Sequence, residues 1–334
     1  MKTKSASILV LTLWVLSLLI LFLIGVGQNV KAHLNFASHM KKRVKNYYIA
    51  KAGVELGIAA ISQEEDSPTE NLQASWANDQ DLFKEISLDG GYLSLTYSLD
   101  NAEGQQQVLY GVEDECSKIN INKIPLENIR ILLERAAGLD QEEAIDLAAA
   151  IKDWRDADKS VSLGGAEDQY YQGLEQPYQT SNSEFELIQE LLFVRGVTAE
   201  IFSKIKEVIT VYGQGKVNIN TTDAFTLYAL GLDKGFAQAI IQFRQGGDQE
   251  DGTGDDNVFD SVNSIREAKA LFTEESAQLN QLVSKGLLTV NSNTFRINSL
   301  GKTVKSETGP KRLISCVVEK EEGQQPKIVY WHEK

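Results

Sequence analysis

Residues 8–26 read ILVLTLWVLSLLILFLIGV, a run of 19 positions without a charged side chain. A helix needs about 20 apolar residues to cross the roughly 30 Å hydrocarbon core of a bilayer, so this run predicts one membrane-spanning helix. A cleavable secretory signal usually has a shorter apolar region of about 7 to 15 residues. Residues 30–32 (VKA) keep that alternative open, because they resemble a small-residue cleavage site.

The apolar run continues into an amphipathic segment. Residues 35–61 (NFASHMKKRVKNYYIAKAGVELGIAAI) contain no proline, favour helix and space apolar side chains at helical intervals. The sequence therefore predicts one rod of about 80 Å from Ser7 to Ile61, at 1.5 Å per residue. Positive charge is denser after the span than before it, which by itself would place the following segment in the cytoplasm.

Strand-like sequence lies at both ends of the body. Residues 92–99 and 107–112 predict a hairpin, and three more strands are predicted at 294–297, 312–318 and 327–331. We therefore predict an α+β fold, in which one antiparallel sheet is made from both ends, packs on the stem helix and carries a helical insert. The predicted parts are a short basic segment at 1–6, the membrane and stem helix at 7–61, sheet parts at 62–116 and 292–334, and the insert at 117–291.

The insert contains an internal repeat. Residues 117–122 (SKININ) are echoed by 215–220 (GKVNIN), and each copy continues through an apolar run to a Gly-Leu-Asp turn, at 138–140 or 231–233. With a third turn at 196–198 (GVT), these units resemble helix-hairpin-helix modules. Such turns offer backbone amides to DNA phosphates, but two of the three place an aspartate there, which favours a packing role over DNA contact.

Composition points away from nucleic acid and from catalysis. The chain has 47 Asp and Glu against 33 Lys and Arg, and its net charge of -14 repels a phosphate backbone. Three histidines, and no P-loop, Rossmann glycine pattern or zinc spacing, predict that it is not an enzyme. Cys116 and Cys316 lie in predicted strands or strand edges, where they form one bridge in an oxidising compartment or stay buried and unpaired.

The order of these features resembles the type IV pilin and type II secretion pseudopilin family, and within it the K-type minor pseudopilins. The resemblance rests on the apolar stem and on short motifs at 50–55 (AKAGVE), 153–158 (DWRDAD), 165–171 (GAEDQYY) and 216–220 (KVNIN). It implies that a prepilin peptidase cuts between Ala6 and Ser7 and so removes a basic leader, although most members have glycine in the place of Ala6. The fifth residue of the processed chain is then Leu11, where most members carry a glutamate, and its absence is typical of the K type.

The same resemblance implies a location, a function and partners. It places a single span in the inner membrane and the body in the periplasm, against the charge count. It implies an assembly subunit at the tip of the type II secretion pseudopilus, supporting protein secretion across the outer membrane. The implied partners are the I- and J-type minor pseudopilins, with the H type as a further candidate, the prepilin peptidase and the inner-membrane secretion platform. Two other functions stay open: a membrane-anchored helix-hairpin-helix DNA-binding protein for DNA uptake, and a signal-anchored receptor.

Carboxylates in the insert are candidate calcium ligands, because Ca²⁺ takes six to eight oxygen ligands. In the first acidic loop, residues 156–167, Asp156, Asp158 and Glu167 hold positions 1, 3 and 12 of a possible calcium loop, but Val161 stands where an EF-hand needs glycine. The K-type resemblance implies calcium in this domain, with Asp153, Asp156, Asp158, Glu167 and Asp168 as candidate ligands. Helix caps and solvated charges are the alternative use of these side chains. The second acidic loop, residues 246–257 (GGDQEDGTGDDN), is either another calcium loop or a surface loop.

Overall fold

A computed structural model of the chain describes residues 4–63, 68–100, 104–267, 277–304, 309–321 and 323–334. Helix α1, Lys4–Gln63, is one continuous helix that holds both the predicted span and the stem. Within the described residues, it is the one helix long and apolar enough to cross a membrane. Residues 1–3 of the predicted leader lie outside the described residues.

The remaining elements are mostly short. The other helices are α2 Gln80–Phe83, α3 Leu126–Leu132, α4 Gln141–Arg155, α5 Asp168–Gln172, α6 Ala199–Ile205, α7 Ala224–Leu230, α8 Lys234–Arg244, α9 Ser264–Glu267 and α10 Ala277–Ser284. The strands are β1 Ile86–Leu88, β2 Gly91–Leu95, β3 Tyr97–Asp100, β4 Gln106–Leu109, β5 Glu113–Asp114, β6 Ile119–Asn120, β7 Ile209–Thr210, β8 Val217–Asn218, β9 Leu288–Thr289, β10 Thr294–Lys302, β11 Lys311–Glu319 and β12 Lys327–Glu333.

One antiparallel sheet draws its strands from both ends of the body, which confirms the predicted α+β fold. Its order is β1-β2-β10-β11-β12, and β5 also pairs with β10. The predicted strand at 92–99 is wrong in one respect, because the chain leaves this sheet after Leu95. The amide of Thr96 donates to the Asn298 carbonyl, and β3 then pairs with β4 as a separate hairpin. Uniform strand-like composition on both sides of Thr96 hides this break in the sequence.

The stem packs on the sheet through close backbone contact. A Cβ atom at Gly53 would lie 2.1 Å from the Ser299 hydroxyl oxygen, and one at Gly301 would lie 2.2 Å from the Asn46 carbonyl oxygen. Only glycine fits at these two positions, one on the helix and one on β10. The contact brings Val54 into a fully buried core between helix and sheet.

The insert consists of two copies of one small unit, as the sequence repeat predicted. Each copy has a two-residue parallel strand pair, β6 with β7 in the first and β8 with β9 in the second. In the first copy the Asn122 side chain bonds to both backbone polar groups of Phe185 at 2.9 Å. In the second copy Asn220 does the same for Phe259, at 3.0 and 2.9 Å. The repeated asparagine therefore ties each strand to the segment that follows its acidic loop.

A repeated arginine closes each copy. Arg155 ends α4 and Arg244 ends α8, and each guanidinium donates to two backbone carbonyls at the start of its own copy. The acceptors are Ile121 and Ile124 in the first copy and Ile219 and Thr222 in the second. Each arginine is followed directly by an acidic loop, so the two acidic loops are equivalent elements of the two copies.

The aspartates of the repeated turns are helix caps. Asp140 accepts from the Glu143 amide at 2.9 Å and begins α4, and Asp233 accepts from the Gly235 amide at 2.9 Å and begins α8. A carboxylate at a helix N-terminus occupies the position that a phosphate would take. This geometry agrees with the predicted packing role of the turns.

A buried carboxylate joins the insert to the sheet. Asp114, which is 2% exposed, pairs with β10 in the sheet. Its side chain accepts hydrogen bonds from the Cys116 amide, the Thr221 and Ser292 hydroxyls and the Asn218 amide group. Burial raises the pKa of Asp114 from its ordinary 3.8 to about 6, and these four donors oppose the rise.

This raised pKa predicts an acid-stabilised junction. Between about pH 4 and pH 6 the native state keeps a proton that the unfolded chain has lost, so the Asp114 contribution to stability falls as pH rises through that window. A difference of about two pKa units corresponds to roughly 3 kcal/mol. We expect Asp114→Asn to remove this pH-dependent contribution to stability. The free energy of unfolding of the wild type minus that of the variant should therefore be larger at pH 4 than at pH 6.5.

Urea unfolding of the detergent-solubilised full chain measures this difference. Asp89→Asn is the matched control, because the Asp89 side chain is 94% exposed. An equal difference at the two pH values would show that Asp114 does not titrate in this range.

Candidate cation site in the insert

Three carboxylates of the first acidic loop converge in the structure. Asp156, Asp158 and Glu167 each place an oxygen within 4.8 Å of the other two. Asp156 follows the end of α4 and Glu167 is the N-cap of α5, so the two helix ends fix both sides of the group. Asp153 lies on the last turn of α4 and is fully buried. We refer to Asp153, Asp156, Asp158 and Glu167 as the acidic cluster.

The acidic cluster contains carboxylate oxygens without a partner. Asp153 Oδ1, Asp156 Oδ1 and Glu167 Oε1 are buried, and none has a hydrogen-bond partner among the described residues. A buried carboxylate oxygen left unpaired is costly, and such groups call for a missing ion or water. Hard oxygen donors of this kind suit a divalent cation such as Ca²⁺.

The charges of the acidic cluster act on one another. Burial raises the pKa of Glu167, and the carboxylates of Asp153 and Asp156 raise it further. One cation contacts the cluster, since Lys152 Nζ lies 3.3 Å from Asp156 Oδ2. The Ser160 amide donates to Asp158 at 2.7 Å and lowers the pKa of that exposed carboxylate. The four side chains therefore form a negative site with one lysine at its edge.

Asp168 does not join this cluster. Its Oδ1 accepts from the amide and the hydroxyl of Thr180, at 2.9 and 2.8 Å, and the Thr180 hydroxyl lowers the pKa of the Asp168 carboxyl. The structure thus brings three of the five predicted ligands into one group, places Asp153 near enough to Glu167 to raise its pKa, and turns Asp168 to another loop.

Arg195 also contacts the first acidic loop, and the sequence did not predict this contact. Its guanidinium donates to the Gly164 carbonyl and lies over the Tyr170 ring, 5.4 Å from the ring centroid. It reaches the first acidic loop from the turn before α6. No spacing or motif connects it with that loop in the sequence, so only the fold identifies it.

The second acidic loop differs from the first in hydrogen bonding. Asp248, Asp255 and Asp256 also converge within 4.8 Å, but the loop itself supplies donors to them. Asp255 accepts from the Gly247 amide at 2.7 Å, and Asp256 accepts from the Gly252 amide at 2.7 Å. This loop also contacts the sheet part of the body, as its backbone accepts from Gln73, Asn78 and Gln107.

The two cysteines form no bridge in the structure, which corrects one of the two alternatives left open by the sequence. Both thiols are free and buried. Cys316 lies opposite Ile297 on β10, whereas Cys116 Sγ lies 3.8 Å from the Asn293 side chain. Positions 293 and 297 are four residues, or about 13 Å, apart along an extended chain, and a bridge needs Cα atoms within about 7 Å. Burial raises the pKa of both thiols to about 12, so neither is activated.

Comparison with known proteins agrees with this architecture. Residues 98–214 match the sequence model described as "Type II secretion system (T2SS), protein K". Type II secretion system protein K of Aeromonas hydrophila is 28% identical over 243 residues, covering 70% of this chain and 72% of that protein. Its counterpart in Pectobacterium carotovorum subsp. carotovorum is 26% identical over 255 residues, covering 73% and 76%. The chain is therefore similar to type II secretion system protein K over 70% or more of its length.

A similar fold is also found in a solved structure. The structure matches a chain of the GspK-GspI-GspJ complex from the type 2 secretion system of enterotoxigenic Escherichia coli, with a TM-score of 0.69 and 18% identity. The match covers 90% of this chain and 99% of that one. The comparisons support the predicted resemblance to the K-type minor pseudopilins of the type II secretion system, and they give no support to the DNA-uptake alternative.

Proposed function

We propose that this chain is the tip subunit of a type II secretion pseudopilus and supports protein secretion across the outer membrane. The body would lie in the periplasm, with α1 anchored in the inner membrane. The observation that carries the proposal is the composition of α1, in which Glu55 is the only carboxylate between Lys4 and Gln63. Leu11, where most relatives in this family carry a glutamate, is 66% exposed.

The absence of a carboxylate at Leu11 supports the tip position. A glutamate buried in an apolar helix bundle is costly unless an opposite charge meets it, so a subunit that carries one needs a neighbour to supply a terminal amine. A subunit with leucine at this position needs no neighbour to supply an amine, so it can occupy the first position in the filament. The family's work is structural, and we assign no catalytic step to this chain.

The stem carries a free apolar row suited to neighbouring helices. Phe36, Met40, Val44 and Tyr48 are exposed, four residues apart, and follow the membrane span on α1. Residues spaced by four lie on neighbouring turns of a helix face. The solved complex contains GspI and GspJ beside GspK, and we propose that I- and J-type subunits cover this row, with the H type and the inner-membrane platform as further contacts of the assembly.

A polar substitution in this row tests the partner assignment. We expect Val44→Asn to weaken co-purification with the I- and J-type subunits about tenfold, because an apolar contact of valine size is lost. Lys42→Asn, an exposed change two residues from Val44 and therefore on the opposite face of the same stem, is the control and should leave co-purification unchanged. Equal recovery of the partners with both variants would contradict the assignment of this row.

We propose processing between Ala6 and Ser7 by a prepilin peptidase. The basic leader with Lys2 and Lys4 directly before an uninterrupted apolar helix supports this site. Mass spectrometry of the chain purified from cells with the peptidase should find Ser7 at the N-terminus, and cells lacking the peptidase should yield a chain that keeps its leader. A chain with an intact leader in both strains would rule out this processing and favour a simple signal anchor.

We also propose calcium binding at the acidic cluster. The three unpartnered oxygens of Asp153, Asp156 and Glu167 support it, and Asp158 would complete the set. A bound cation would neutralise carboxylates that otherwise repel one another. It would thereby join the end of α4 to the start of α5.

This site predicts effects of opposite sign with and without calcium. In the presence of a chelator, Glu167→Gln should raise the melting temperature of the full chain, because it removes one of several like charges. With calcium in excess, the wild type should gain about 2.7 kcal/mol at 100 times its dissociation constant, and the variant should gain much less.

Titration calorimetry should show at least about tenfold weaker binding by Glu167→Gln. Asp248→Asn in the second acidic loop is the matched control and should bind as the wild type does. A wild-type chain that neither binds calcium nor gains stability from it would refute the site.

A further inference from the structure

Each carboxylate of the acidic cluster that has an unpartnered oxygen holds its other oxygen on a donor of the protein. Asp153 Oδ2 and Glu167 Oε2 each accept from a backbone amide, at 3.0 and 3.3 Å. Asp156 differs from these two, because its Oδ2 faces the ammonium of Lys152 at 3.3 Å. Lys152 is therefore a charged group at a place where the other two carboxylates use neutral donors.

The ammonium of Lys152 lies at the edge of the cluster through a second contact. It donates to the Ser162 hydroxyl at 3.1 Å. The Ser160 amide and, to a smaller degree, the charge of Lys152 lower the pKa of Asp158. The Lys152 side chain is 39% exposed, so it can leave this place for solvent without unfolding of the insert.

The fold of the repeated unit does not account for a lysine at this position. Three residues before the repeated arginine, the first copy has Lys152 and the second copy has Ile241. The pair of Lys152 with Asp156 also contributes little to α4, because a carboxylate just after a helix C-terminus meets the negative end of the helix dipole. Exposed pairs four residues apart are weak in any case. Contact with the acidic cluster is thus the property that distinguishes Lys152.

The second copy meets a similar requirement with a permanently buried cation. Arg244 donates to Asp251 Oδ1 through two nitrogens, at 2.9 and 2.7 Å, and both side chains are almost fully buried. In the first copy the equivalent Arg155 donates to two backbone carbonyls, and its charge acts on Asp156 without a direct contact among the described ion pairs. The cation that touches the first acidic loop is therefore a partly exposed lysine, which can be displaced.

We propose that Lys152 is a built-in counter-ion of the acidic cluster, which a bound divalent cation displaces, so that this lysine sets the affinity of the site for cations. The inference rests on the proposed calcium binding and adds the residue that tunes it. Without a cation, Lys152 compensates one of the four carboxylate charges. A cation held by the free oxygens of Asp153, Asp156 and Glu167 repels the ammonium, and this repulsion weakens binding.

A role of Lys152 in orienting Asp156 would have the opposite effect on affinity. The Asp156 amide already donates to the Lys152 carbonyl at 3.0 Å, at the end of α4, so the helix fixes the backbone of this ligand. Removing an orienting contact would weaken cation binding, whereas removing a competing charge strengthens it. The sign of the change therefore decides between the two roles.

Titration calorimetry of the detergent-solubilised full chain with calcium chloride measures this sign. Lys152→Met keeps an unbranched side chain but no charge, and it should bind calcium about five- to tenfold more tightly than the wild type. Lys152→Arg keeps the charge and should bind as the wild type does. Lys159→Met is the matched control, because it removes the same charge from the same loop while the charge of Lys159 acts on Asp168, outside the cluster.

The charge of the cation separates electrostatic competition from a change in packing. The gain of Lys152→Met over the wild type should be larger with terbium chloride than with calcium chloride, because the repulsion grows with the charge of the ion. At about 1 M sodium chloride, where the Debye length is about 3 Å, both gains should shrink. A change in packing would alter the affinity for both ions by the same factor at either salt concentration.

Melting temperatures give a readout that does not depend on the titration. With a chelator, Lys152→Met should melt below the wild type, because the cluster has lost the cation that contacts it. With calcium in excess this difference should shrink, since the variant binds calcium more tightly. If Lys152→Met fails to fold, Lys152→Gln replaces it in every comparison.

The outcomes distinguish this inference from the calcium site on which it rests. A wild type that binds calcium beside a Lys152→Met chain of equal or weaker affinity would overturn the role of Lys152 and leave the site standing. A gain of the same size in Lys159→Met would overturn that role as well, because it would reflect the net charge of the loop. Absence of binding by both the wild type and Lys152→Met would overturn the site and the inference together.

Discussion

The Asp114 carboxylate holds the two parts of the body in one arrangement. It lies in the sheet through β5, and three of its four donors come from the second copy of the insert or from the segment between β9 and β10. Because hydrogen bonds are directional and the site is buried, a small rotation of the insert would leave a carboxylate oxygen unpaired at a cost of a few kcal/mol. The insert is therefore a rigid extension of the pilin-like part.

A second group of charges reinforces this junction from the first copy. Arg296 on β10 makes two bonds to Glu115, at 2.7 and 2.6 Å, and Glu115 also accepts from Thr210 at the end of the first copy. Arg296 and its neighbour Lys118 bring the pKa of the buried Glu115 down to about 2 although burial alone would raise it. Both copies are thus joined to the sheet by a paired or fully bonded carboxylate. The close contact of Gly53 with β10 continues this rigid path to the stem.

The sequence predicted the elements that depend on residues near one another in the chain. The predictions failed where contacts between distant parts of the chain determine the structure. The apolar run, the proline-free stem and the repeated SKININ and GKVNIN strings each carry their own physical reason, and all three are found as expected. The end of β2 at Leu95 was missed because strand-like residues continue on both sides of it. The separation of Cys116 from Cys316 depends on strand register, and composition does not report register. For the same reason Arg195 was missed, since only packing brings its turn against the first acidic loop.

The two acidic loops show how one duplicated element came to meet its polar requirements in different ways. In the second loop, Asp251 pairs with Arg244 in a fully buried bridge, and amides of the loop satisfy Asp255 and Asp256. Four backbone carbonyls of this loop accept hydrogen bonds from side chains of the sheet part. In the first loop, buried oxygens of Asp153, Asp156 and Glu167 have no hydrogen-bond partner among the described residues. Because buried carboxylate oxygens without donors are costly, the first loop is the one that a bound cation would stabilise.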